Sequence, residues 1–206
     1  MQKKEIYSEL SSIRNLMERS AKFISLSGLS GILAGIYALI GAGLGYYLVY
    51  GSSGGLDYRD YYVNDKAVVL QLIFVAIAVL VLSVTTGILL TVRKAKKQGE
   101  KVWNPSSKNL LINMAIPLVT GGILVLIFLL RGYFGIIAPA TLIFYGLALV
   151  AGSYYTFTDV KWLGIYEIVL GLLAACLPGF GIVFWTIGFG VLHIIYGSIM
   201  HFRYDR

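Results

Sequence analysis

Six apolar blocks run through this chain, at about 23–50, 67–92, 109–130, 133–155, 162–178 and 181–202, separated by short polar segments. At a rise of 1.5 Å per residue, about 20 apolar residues make a helix as long as a bilayer's hydrocarbon core is thick. Lipid offers the backbone no hydrogen bonds, so each block must satisfy its own N–H and C=O groups as a helix. The expected fold is therefore an all-α, polytopic transmembrane bundle of six spans over 23–206. Residues are 58% hydrophobic and only 13% charged, a balance far from that of a soluble domain. The first block is much longer than the ~7–15-residue core of a cleaved signal peptide, and reads as a retained first span. The fifth is short and ends at Pro178, while the first is long enough to tilt or to project beyond the bilayer.

The charges lie between the blocks and not on one basic face. The net charge of +7 thus argues for a membrane surface and against nucleic acid. Of the 17 Lys and Arg residues, Arg59, Lys66 and Arg131 fall on one side of a six-span arrangement, and the other 14 share the side of the N-terminus. Positive residues favour the cytoplasmic side, so both termini are expected there, in a cytoplasmic (inner) membrane.

Residues 1–22 carry Ile6, Leu10, Ile13, Leu16 and Met17 at helical spacing between charged residues. They read as an amphipathic helix on the membrane surface, docked on a partner, or packed on the protein's own loops. The loop 51–66 holds Asp57, Asp60 and Asp65 among tyrosines. It lacks the spacing of a calcium loop and reads as a solvated loop with interfacial aromatics. The loop 93–108 is polybasic, and Arg93, Lys94, Lys96, Lys97 and Lys101 are expected against anionic lipid headgroups. Asn104-Pro105-Ser106-Ser107 is a turn and a cap for the third span.

Small residues recur at helical spacing: Ser27, Gly31 and Gly35 in the first span, Gly164 and Gly171 in the fifth, Gly190 and Gly197 in the sixth. In lipid, helices associate by close backbone approach over such residues. These glycines are expected to mark helix contacts, within the chain or between copies. Pro117 and Pro139 are expected to kink the third and fourth spans. A G-φ-φ-A match between spans 1 and 4 (φ aliphatic), and a small-x-Gly-aliphatic-Leu match between spans 3 and 6, would suit an inverted repeat of three spans.

Glu167 is the only acid well inside a span, and His193 is the only histidine comparably deep. If spans 5 and 6 form an antiparallel hairpin about Pro178-Gly179-Phe180-Gly181, one register places Gly164 opposite Gly197, Glu167 opposite His193, Gly171 opposite Gly190 and Ala174 opposite Thr186. Counted from that turn the two ionisable residues share a depth of about 18–21 Å. A buried carboxylate needs a polar partner. The pair is thus either a proton-responsive site, since histidine changes charge near neutrality, or an interhelical clip worth ~1 kcal/mol.

No His-Glu-x-x-His, phosphate loop or G-x-S-x-G occurs, so no catalytic residue, metal site or cofactor is assigned. The lone Cys176 reads as a small buried apolar residue. The run Gly164-(6)-Gly171-(6)-Pro178-Gly179 followed by Gly190-(6)-Gly197 resembles a repeat hairpin of the small six-span acid-resistance membrane proteins of bacteria, the DUF308 type. The whole chain also looks like uncharacterised bacterial inner-membrane proteins. The resemblance implies a non-enzymatic membrane protein linked to pH or acid stress and supplies no catalytic residues. Two functions are expected from these features. One is a structural, sensory or partner-regulating membrane protein, alone or as a homo-oligomer. The other is a small proton-coupled transporter or channel using Glu167 and His193.

Overall fold

The computed structural model describes residues 23, 26–51 and 66–205; the N-terminal segment 1–22 and the acidic loop residues Asp57, Asp60 and Asp65 lie outside them. Among the described residues all regular structure is helical. The helices are α1 (Gly28–Tyr50), α2 (Lys66–Lys97), α3 (Pro105–Arg131), α4 (Ile137–Gly152), α5 (Asp159–Cys176) and α6 (Gly181–Tyr204). Short 3₁₀ turns flank α4 at Phe134–Ile136 and Ser153–Tyr155. Helix α6 is α-helical over Gly181–Trp185, π-helical over Thr186–Leu192 and α-helical again over His193–Tyr204. Five helices are long and apolar enough to cross a membrane. The remaining one, α5, has 18 residues and carries Asp159, Lys161 and Glu167.

Two sets of three helices meet across α6. Helix α1 packs on α2 and α6, α4 packs on α3 and α5, and the first half of α6 reaches α4 and α5. Outward faces are Leu, Ile, Val and Phe; on α2 only Ala95 is buried. That surface suits lipid, in which apolar side chains lose nothing by exposure.

Glycines set the inner contacts, and the glycine pairings expected across the 5–6 hairpin do not form, although Glu167 does meet His193. Gly164 and Gly171 do not face Gly197 and Gly190. On α5, Gly164 lies against Gly146 and Val150, and Gly171 against Ile143 and the Pro139 carbonyl, all on α4. On α6, Gly190 meets Leu39, and Gly197 meets Gly28, Gly31 and Ile32, all on α1. Gly31 and Gly35 complete that seam, Gly35 against Gly190 and Ile194. A glycine permits close approach but does not choose the partner. Here α6 lays its glycines along α1 while α5 lays its own on α4.

The other expectations divide. Asn104 caps α3: its Oδ1 accepts from the Ser107 amide at 2.8 Å, and the Ser107 hydroxyl accepts from the Asn104 amide at 2.9 Å. Asn104→Ala is expected to cost about 1 kcal/mol in thermal unfolding. Pro117 lies inside α3. Pro139 is the third residue of α4, where its missing N–H has no intrahelical partner to lose, so it opens that helix and does not interrupt it. Cys176 is exposed at the end of α5 rather than buried, because α5 turns its glycine face inward. Phe23 is not yet helical; its amide donates to the Tyr155 carbonyl at 2.7 Å, and the Thr156 hydroxyl donates to its carbonyl at 2.8 Å.

Candidate functional site: a buried glutamate–histidine–tyrosine cluster

Glu167 and His193 come together where α4, α5 and α6 meet. His193 Nδ1 lies 3.4 Å from Glu167 Oε1 and 3.0 Å from the Gly188 carbonyl oxygen, and Nε2 lies 2.8 Å from the Tyr145 hydroxyl. A carbonyl can only accept, so Nδ1 carries a proton. In the neutral imidazole Nε2 then accepts from Tyr145; in the imidazolium it donates. Phe189 stacks on the imidazole at 5.8 Å, and the Tyr145 ring is tilted against it at 5.4 Å.

Backbone choices make this arrangement. His193 is the first residue after the π segment, and its side chain bonds the carbonyl of Gly188 five residues back. A Cβ at Gly188 would stand 2.5 Å from Glu167 Oε2 and 2.6 Å from Leu142, so any larger residue there would shift these two side chains. Glu167 has no exposed surface, and neither of its carboxyl oxygens has a hydrogen-bond partner among the described residues. A buried unsatisfied polar group is costly, so this carboxyl is held by its surroundings at a price in stability.

The site can share or exchange a proton between a carboxyl, an imidazole and a phenol. Glu167 has no exposed surface in this conformation, His193 is buried and Tyr145 is half-buried. An apolar cleft of about 450 Å³ between α1 and α6, lined by Leu39, Ala42, Tyr46, Ile182, Val183 and Ile187, does not include the cluster. Among the described residues no group of three or more His, Cys, Asp or Glu side chains could hold a metal.

Tyr145 escaped the sequence reading. It is one of 15 tyrosines, and nothing in its spacing sets it apart.

A second polar cluster, also unread in the sequence, ties one end of the bundle together. Asp205 accepts from Lys94 Nζ at 2.7 Å, from the Gly28 amide at 2.9 Å and from the Ser27 hydroxyl at 3.4 Å, and lies 3.2 Å from His201 Nδ1. Lys94 Nζ also donates to the Leu26 carbonyl at 2.8 Å. Burial pushes the Asp205 carboxyl up, but the Lys94 and His201 contacts and the Gly28 amide outweigh it and hold the carboxyl below the usual carboxylate range. Lys94 therefore corrects an expectation: it is a clamp residue, 11% exposed, and not a headgroup contact. Arg93, Lys96, Lys97 and Lys101 are exposed. Beside the clamp, Arg203 and the Tyr204 hydroxyl meet Asp159 at 3.2 and 3.0 Å.

No known protein family, curated protein or solved structure matches the chain.

Proposed function

We propose that this is a six-span integral protein of the bacterial inner membrane, with α5 as its least apolar span and both termini cytoplasmic. It has no catalytic activity, and its Glu167–His193–Tyr145 cluster serves a proton-responsive, sensory or partner-regulating role. The 14-to-3 division of basic residues supports the orientation. Trp103, 63% exposed under Lys108 Nζ at 5.9 Å, suits an interfacial anchor beside the exposed lysines, whose partners are anionic headgroups.

One observation carries the functional reading: the single carboxyl inside the bundle is wholly buried, unpartnered except for an imidazole at 3.4 Å. Ionisable residues within spans are costly and mark proton-handling or packing sites. The closed surroundings favour sensing over passage, because a proton-coupled transporter or channel would need a water route to Glu167.

The test is a double-mutant cycle of Glu167→Gln and His193→Ala in thermal unfolding between pH 5 and 9. A coupling of about 1 kcal/mol that varies with pH is expected. Strict additivity at every pH would remove the pair from the function. Proton uptake by proteoliposomes that disappears in Glu167→Gln would replace sensing with transport.

A further inference from the structure

Helix α6 changes character at the cluster. Seven residues, Thr186–Leu192, form a π-helix, a conformation that is rare and gathers at functional sites. Within it the Gly188 carbonyl lies 3.0 Å from the His193 imidazole Nδ1. Helix α6 runs along α1 through all three parts, but only its first part also reaches α4 and α5 closely: Gly181–Trp185 touches α4, α5 and α1, whereas His193–Tyr204 lies along α1 and ends at Asp205, which caps the first amide of α1 and holds Lys94 of α2.

We infer that the π segment is a switch that couples the proton state of the Glu167–His193 pair to the Lys94–Asp205–Gly28 clamp at the charged end of the bundle. This inference rests on the proton-responsive reading above. The His193 Nδ1–H is one donor between two acceptors, the Gly188 carbonyl at 3.0 Å and Glu167 Oε1 at 3.4 Å. With Glu167 as the neutral acid the donor stays on Gly188 and the π turn is held. When Glu167 gives up its proton, the carboxylate draws the donor away. With the imidazole bond gone, the π turn loses the side-chain contact that favours it, and the Gly188 carbonyl takes the Leu192 amide in an ordinary α turn.

Removing one residue's bulge rotates the downstream half of the helix by about 100° and shifts it by about 1.5 Å. His193–Tyr204 cannot make that turn and keep Gly197 seated on Gly28 and Gly31, so Asp205 leaves the α1 N-terminus. Few other groups compete for the pair. Tyr145 faces it from α4 and Tyr196, on the turn after His193, is the next titratable side chain of α6; α1 has no charged residue between Gly28 and Tyr50, and α5 contributes Glu167 itself. Asp205 is faced by Lys94, His201 and the Ser27–Gly28 end of α1, with the Asp159–Arg203 pair alongside.

The test is electron–electron distance measurement between spin labels at Phe202→Cys on α6 and Leu111→Cys on α3, both exposed positions. The background is Cys176→Ser in lipid nanodiscs. Between pH 5 and 9 the distance distribution is expected to move by several ångströms. Glu167→Gln, which mimics the neutral acid at the same volume, is expected to hold the low-pH distribution throughout. Thermal unfolding of the same proteins separates the two claims. A pH-dependent Glu167–His193 coupling with an unmoved label distance overturns the switch and leaves the pair proton-responsive. Absence of both effects overturns both.

Discussion

Replacing Gly197 by leucine is expected to pull α6 away from α1 and cost about 3 kcal/mol, the upper part of the range for overpacking a tight contact. A Cβ at this position would stand 2.5 Å from the Ile32 amide nitrogen, 2.7 Å from the Gly28 carbonyl oxygen and 2.9 Å from the Gly31 carbonyl carbon. All three are backbone atoms, so no rotamer change relieves the clash and the helices must separate. The seam then loses its van der Waals contacts, which are what drives helix association in lipid. Thermal unfolding in detergent reads the loss. Gly87 and Gly122 supply the control, because a Cβ at either meets nothing within 4 Å. Alanine there is expected to leave stability unchanged or raise it by up to about 1 kcal/mol through helix propensity.

Asp205→Ala is expected to cost about 2 kcal/mol, by breaking a part-buried ion pair from one side. Lys94, 11% exposed, keeps only the Leu26 carbonyl and the face of the Phe157 ring at 5.7 Å, and the first amide of α1 loses its acceptor. The double replacement Lys94→Met with Asp205→Leu is expected to recover part of the loss, since no uncompensated charge remains. The pH dependence has a definite sign. The folded Asp205 carboxyl sits below the usual carboxylate range, and an unfolded aspartate titrates near about 3.9. Its stabilisation is therefore complete above the unfolded value and drains away as pH falls through the lower folded value. Asp205→Asn is expected to flatten that acid limb, seen as a smaller fall in melting temperature between pH 5 and 3. An unchanged acid limb would show that Asp205 contributes nothing to it.

Much of this architecture is legible in the sequence. Apolar length alone places six helices at nearly their observed positions, because lipid permits few other solutions. The cap at Asn104 is legible too, since its chemistry is local. Glu167 and His193 stand out as the deep ionisable residues, and the geometry puts them 3.4 Å apart. Partner choice is where the sequence misleads. Spacing pairs Gly164 and Gly171 with α6, yet they lie on α4, because a glycine face fits any neighbour. The π segment at Thr186–Leu192 likewise leaves no trace in composition. The clamp is hidden for a different reason. Lys94 and Asp205 are 111 residues apart, and among clustered basic residues nothing distinguishes Lys94 from its exposed neighbours Arg93, Lys96 and Lys97.

If Glu167 and His193 share a pH-responsive proton, isotope-edited infrared spectroscopy of the Glu167 carboxyl will show it, in nanodiscs between pH 4 and 9, with Glu167→Gln to assign the band. The protonated-acid stretch is expected to give way to the carboxylate stretch within that range, and His193→Gln to displace the transition. A Glu167 band that stays constant from pH 4 to 9, or a transition that His193→Gln leaves in place, would contradict a shared proton.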